Sequence, residues 1–152
     1  MSGAAAQERT DSYSTSFVVD QTTAEVFAAI VDVRSWWTGD IEGAAGTLGD
    51  SFTYRYEDLH RSTQQVTDFV PGQRIAWHVM DAELGFTVDK AEWRGTDVVF
   101  EMARSAGKTE VRFTHLGLVP AFECFTDCSN AWAFYINASL RNRIATGKAA
   151  PK

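Results

Sequence analysis

Residues 98–117, VVFEMARSAGKTEVRFTHLG, are followed by residues 124–147, CFTDCSNAWAFYINASLRNRIATG, and the change of hydrophobic period between them decides the fold. In the first stretch Val98, Phe100 and Met102 alternate with Val99, Glu101 and Ala103. After a Gly-containing connection at 105–108, Val111, Phe113, His115 and Gly117 share the face opposite Glu110, Arg112 and Thr114. Strand side chains point alternately to the two faces, so this period of two predicts an antiparallel hairpin with one buried face. In the second stretch Cys128, Trp132, Ile136 and Leu140 recur at helical spacing. Gly147 supplies a stop, and Arg141 and Arg143 lie at the dipole end that favours cations. About 20 helical residues extend roughly 30 Å, enough to cross the concave side of a sheet.

The preceding residues supply that sheet. Ser51 to Tyr56 alternates, with Phe52, Tyr54 and Tyr56 on one face. A polar strand over 61–70 is expected to be partly exposed. Val70, Pro71, Gly72 and Gln73 then carry a type II turn signal into a strand over 74–80, with Ile75, Trp77 and Val79 on one face. Residues 86–93 read either as a distorted strand or as an extended loop, and 94–96 as a turn. At the start, Tyr13 to Val19 has strand composition, and Thr22-x-x-Glu25 is a capping box opening a helix over 23–31. Residues 33–37 supply a further short turn of helix, and 39–49, with four glycines, a loop with a short strand at most. Strand, helix, antiparallel meander and one long helix make an α+β helix-grip order. A curved antiparallel sheet wraps the C-terminal helix, because that helix alone is long enough to cover the apolar face.

The 152 residues and 45% apolar content fit one domain, expected to span 1–152 with frayed termini at about 1–11 and 149–152. Fourteen basic against 20 acidic residues, with no dense basic run, argue against nucleic-acid binding. No segment has the apolar length to span a membrane or the form of a leader peptide, so the expected location is cytoplasmic. Cys124 and Cys128 lack redox Cys-x-x-Cys spacing and read as small core residues suited to a reducing compartment. His60, His78 and His115 make no metal-binding pattern, and neither metal nor cofactor is expected.

The chain also resembles a known superfamily. Phe17-x-x-Asp20 before the capped helix, Val26-Phe27-Ala28, and Trp36-Trp37 before a Gly-rich stretch are similar to the START-related (SRPBCC) proteins. Asp89-Lys90-x-Glu92-Trp93-x-Gly95-Thr96 with Val99-Phe100-Glu101, and Thr114-His115-x-Gly117-Leu118, narrow the resemblance. So does Trp132-x-x-Tyr135-x-x-x-Ser139-Leu140 with Thr146-Gly147. Together they resemble the branch named after the homologue of the heat-shock-protein-90 ATPase activator, over residues 13–148. The resemblance implies a helix-grip fold with a central cavity or groove, in a family where many members have no demonstrated activity. The activator's separate N-terminal domain, which helps engage its chaperone, has no counterpart in this sequence, so chaperone activation is not expected. The family often places Gly beside the last helix's tryptophan; here Ala131 precedes Trp132.

Three functions are open at this stage. The leading one is non-catalytic binding of an apolar small molecule between sheet and C-terminal helix, lined by Trp37, Phe52, Tyr54, Tyr56, Trp77, Phe100, Phe113, His115 and Trp132. Tyr54, Tyr56 and His115 are the sharpest candidates, because a buried hydroxyl or imidazole needs a partner. Core packing is the alternative role for every aromatic among them. The second function is a protein-interaction or chaperone-accessory domain taking an apolar protein segment in the groove or at the Trp36-Trp37 corner. The third is a cyclase, dehydratase or hydrolase whose acid or base would be His115 paired with Glu123 or Asp127. Exposed sheet edges also permit a homodimer.

Overall fold

The computed structural model describes residues 12–37, 39–57, 59–85, 87–88 and 92–148. The termini expected to fray, and Asp89 and Lys90 of the motif above, lie outside these residues. Among the described residues seven strands form one antiparallel sheet: β1 (Tyr13–Val19), β2 (Asp40–Gly43), β3 (Ser51–Tyr56), β4 (His60–Val70), β5 (Arg74–Leu84), β6 (Asp97–Ser105) and β7 (Lys108–Leu116). Their spatial order is β1-β7-β6-β5-β4-β3-β2, a meander from β2 to β7 closed by β1 against β7. Helix α1 (Thr23–Val31) starts at the expected capping box: Thr22 Oγ1 accepts from the Glu25 amide and the Glu25 carboxylate accepts from the Thr22 amide. Among the described residues no helix is long and apolar enough to cross a membrane.

The sheet bends because two ladder positions carry an extra residue. Val79 pairs with Gln64 and Asp81 with Thr63, which leaves Met80 bulged on β5; Trp77 pairs with Val66 and Ala76 with Asp68, which leaves Thr67 bulged on β4. A bulge bends its strand and increases the local twist. It also shifts the inward phase of β5 from Ile75, Trp77 and Val79 to Ala82 and Leu84, and Met80 is left half exposed. The expectation of a partly exposed polar β4 fails on one face. Ser62 and Gln64 are fully buried, because alternation along β4 turns them, with Val66, toward the concavity. The other expected strands and turns are present; Gly72 has φ +74°, as a type II turn requires. The described part of 86–93 contains turns and bends and no strand.

The concavity is filled by the last helix, residues 125–146. It runs as α2 (Phe125–Phe134), a π-helical stretch (Tyr135–Leu140) and α3 (Arg141–Thr146), and ends at Gly147 with φ +88°. Buried positions Cys128, Trp132, Ile136 and Leu140 are four apart. In a pure α-helix each step of four advances about 400°, so the stripe would drift about 40° per step around the axis. The wider π turn takes up that drift and keeps the stripe on the sheet. Ser139 Oγ donates to the Trp36 carbonyl at 2.6 Å, and Asn137 Nδ2 donates to Thr15 Oγ1 at 3.0 Å; both tie the π stretch to its surroundings.

Candidate functional site

A cavity of about 340 Å³ opens where the α2 face meets the β3–β4 hairpin. The helix supplies Asp127, Cys128, Ala131 and Trp132, followed by Tyr135 at the start of the π stretch. These positions recur at one, four, five and eight residues from Asp127, and so share one helical face. The hairpin supplies Tyr54, Tyr56, Leu59 and His60; Trp37 and Trp93 complete the wall. Tyr56 faces His60 in the ladder, and Tyr54 faces Ser62, so alternation carries the hairpin's inward side chains to the cavity.

The wall contains a closed circuit of five rings. Trp37 stacks on Tyr54 at 4.0 Å; Tyr54 meets His60 at 5.2 Å; His60 meets Trp93 at 4.5 Å. Trp93 stacks on Trp132 at 5.8 Å, and Trp132 returns to Trp37 at 5.1 Å. Edge and face contacts of this kind add to the burial energy of each ring and hold the wall in one arrangement. Burial and the Tyr135 hydroxyl push the Tyr54 phenol above its ordinary range.

Of the nine ligand-binding residues expected from sequence, Trp37, Tyr54, Tyr56 and Trp132 line the cavity. Phe52, Trp77, Phe100 and Phe113 do not. They lie beneath it as fully buried packing, with Trp77 in edge contact with Phe52 and Phe100 at 5.0 Å. His115 is also outside the lining, and the reason is a hydrogen-bond chain. Trp132 Nε1–H donates to His115 Nδ1 at 3.0 Å, and His115 Nε2 lies 2.8 Å from Thr96 Oγ1, which donates to the Trp93 carbonyl at 2.6 Å. Because Trp can only donate, Nδ1 is the acceptor and the proton of the neutral ring sits on Nε2. Complete burial lowers the His115 pKa to about 3. The backbone near Gly117, at φ +102°, passes so close to Thr96 that a Cβ there would sit 2.9 Å from Thr96 Cγ2. Glycine therefore keeps the His115 partner in place.

The acid–base pairing expected of His115 with Glu123 or Asp127 is not made, since Thr96 and Trp132 occupy both ring nitrogens. Glu123 instead accepts from the Val88 amide at 2.8 Å, while Glu92 accepts from the amides of Glu123 and Cys124 at 2.7 and 3.1 Å. These two carboxylates stitch the segment carrying Trp93 to the start of the last helix, where a negative charge is favoured. Asp127 is exposed at the cavity. Trp36 and Trp37 are buried to 1% and 3% exposure, so they offer no corner for a protein partner. Cys124 and Cys128 are both buried and form no disulfide, and Cys128 together with burial pushes the Cys124 thiol up.

Sequence reasoning missed His60, Trp93, Leu59, Cys128, Ala131 and Tyr135 in the wall. His60 lines the cavity and donates to or accepts from Ser62 Oγ through Nε2 at 3.0 Å. Desolvation, with Arg61 adding to it, lowers its pKa to about 3. Among the described residues no group of three or more His, Cys, Asp or Glu side chains could hold a metal ion.

Bent sheet, long helix and the cavity at their open end define the helix-grip class. The resemblance to START-related proteins is borne out at that level. No family model and no curated protein matches the chain. Among solved structures it is similar to the Aha1 dimer of Colwellia psychrerythraea, 24% identical over 90% of this chain and 97% of that one, with a TM-score of 0.71. It is also similar to DynU16, a protein in the dynemicin biosynthetic locus, 18% identical over 91% of this chain and 49% of that one, TM-score 0.65. CV1439 of Chromobacterium violaceum is 13% identical over 93% and 99%, TM-score 0.63. At these identities the likeness is one of fold, and it agrees with the Aha1-like motifs read in the sequence.

Proposed function

We propose that this domain binds an apolar small molecule, without catalysis, in the cavity between the last helix and the β3–β4 hairpin. The observation that carries this is the cavity wall: about 340 Å³ of space bounded by Trp37, Tyr54, Trp93 and Trp132, a size and lining typical of small-molecule sites. His115, the acid–base candidate, has both nitrogens engaged in the core. The test is denaturing extraction of the gently purified protein, with native mass spectrometry before and after. A retained or re-added apolar compound at one equivalent supports the reading, and failure of any apolar compound to saturate refutes it.

A second reading, binding of an apolar protein segment, draws on Leu59 in the cavity wall and on Val88, whose amide donates to Glu123 just before the last helix. Leu59 is 47% exposed and Val88 92% exposed, and Leu59 O accepts from the Gly85 amide at 2.9 Å. Homodimerisation is proposed with it, because the Colwellia protein is a dimer; sedimentation equilibrium decides that point. A cytoplasmic location is proposed as well, since two buried cysteines outside any disulfide suit a reducing compartment.

A further inference from the structure

Two histidines in this domain are held neutral, and their surroundings demand opposite tautomers. His115 carries its proton on Nε2, for the reason given above. At His60 the logic runs the other way along the inward face of β4. Gln64 Nε2 donates to Ser62 Oγ at 3.2 Å, and Ser62 Oγ lies 3.0 Å from His60 Nε2. Ser62 is fully buried, and with the Gln64 amide turned so that its nitrogen donates, which leaves Gln64 Oε1 buried without a partner, the Ser62 hydroxyl proton has no acceptor among the described residues other than His60 Nε2. A buried hydroxyl proton left without an acceptor costs the desolvation of that group. The chain is therefore satisfied as Gln64 N–H to Ser62 O–H to His60 Nε2, which places the ring proton on Nδ1. Nδ1 has no partner among the described residues, and His60 lines the cavity.

We propose that His60 Nδ1–H is the polar anchor of the cavity, and that it selects an uncharged, flat apolar ligand bearing a hydrogen-bond acceptor such as a carbonyl. The only charged group among the described lining residues is the Asp127 carboxylate, and no Lys or Arg is among them. An anionic ligand therefore meets repulsion and no counter-charge, whereas a neutral acceptor gains one hydrogen bond in a desolvated place.

The inference rests on the cavity being a ligand site, and the experiment separates the two. Three probes of one shape are titrated by tryptophan fluorescence: 2-ethylnaphthalene, 2-acetylnaphthalene and 2-naphthoate. The acetyl probe is expected to bind about five- to tenfold more tightly than the ethyl probe, the yield of one added neutral hydrogen bond. The naphthoate is expected to bind more weakly than both. In His60→Phe the acetyl-to-ethyl preference falls to about one. Equal affinities of the acetyl and ethyl probes in the native protein overturn the role of His60 and leave the cavity reading standing. No saturable binding by any probe overturns the cavity reading and this proposal with it. Two-bond ¹⁵N–¹H spectra give a check that needs no variant: His60 should show the Nδ1–H tautomer and His115 the Nε2–H tautomer. An Nε2–H signature at His60 overturns the assignment.

Discussion

Acidification from about pH 7.5 to about pH 5 should remove about 2 kcal/mol of stability through His115 alone. The folded pKa of this ring is about 3 and its ordinary value 6.5, so between those two values the unfolded chain binds a proton that the folded chain does not. Stability therefore rises with pH across that window and is lost as pH falls through it. At about pH 5 the unfolded ring is about 1.5 pH units below its pKa, and about 1.36 kcal/mol per unit gives the figure above. His60, whose pKa is also lowered to about 3, acts in the same direction. Lys108 holds the Asp20 carboxyl, and Arg94 and Arg61 the Asp81 carboxyl, below the ordinary 3.8, so their loss falls at lower pH and does not overlap. The assay is urea denaturation at steps across this range, in the native protein and in His115→Gln. The variant need not match native stability, since the readout is the slope of unfolding free energy against pH. The slope should be shallower in the variant by the share calculated here. Equal slopes, or an NMR titration of His115 near its ordinary pKa, would refute the account of a buried neutral imidazole held between Thr96 and Trp132.

Trp132→Phe keeps most of the ring volume but deletes the donor to His115 Nδ1, leaving a buried acceptor unpaired; a loss of about 1–3 kcal/mol is expected by thermal or urea unfolding. Glu92→Gln weakens the charged acceptor for the Glu123 and Cys124 amides, and hydrogen exchange at those two amides should speed up while the strands β5 to β7 keep their protection. Burial raises the Tyr13 and Tyr54 phenols above 10.0, so the folded state holds protons the unfolded state has released, and stability falls as pH rises past that value. Absorbance titration should show part of the tyrosine ionisation arriving only with alkaline unfolding, and a single ionisation step before unfolding would contradict this.

Much of the architecture was readable because alternation and helical spacing are direct records of burial. Val98, Phe100 and Met102, the Thr22–Glu25 box and the Cys128-to-Leu140 stripe each signal one structure, and all three are present. The bulges at Thr67 and Met80 were not readable, because an extra residue in a ladder has no local mark when both strands continue. Composition misled at Ser62 and Gln64: polar side chains read as exposed unless the face they share with Val66 outweighs their chemistry. In the site, sequence gave the inward face but not depth along it. Phe52, Trp77, Phe100 and Phe113 point inward yet sit below the cavity, whereas Tyr54 and Tyr56, nearer the hairpin end, reach it. His60 could have been found from hairpin parity, since a connection over 57–59 pairs it with Tyr56. Trp93 sits outside any strand or helix, and no periodicity reports on such a residue.

The π stretch has a consequence for how this domain tolerates change in length. It behaves as one surplus residue lodged within an otherwise α-helical rod, so removing a single residue from 135–140 would let the rod heal into continuous α geometry. Because the π turn already absorbs the roughly 100° that the surplus residue would add, healing after such a deletion would keep the upstream segment in its present phase relative to α3. Cys128 and Trp132 would stay against the sheet, and solvent-facing neighbours such as Thr126 and Asn130 would stay outside it. A one-residue deletion at this place is thus the length change the chamber would tolerate, whereas one between Cys128 and Trp132 would turn Cys128 about 100° off the sheet face while leaving the helical content almost untouched.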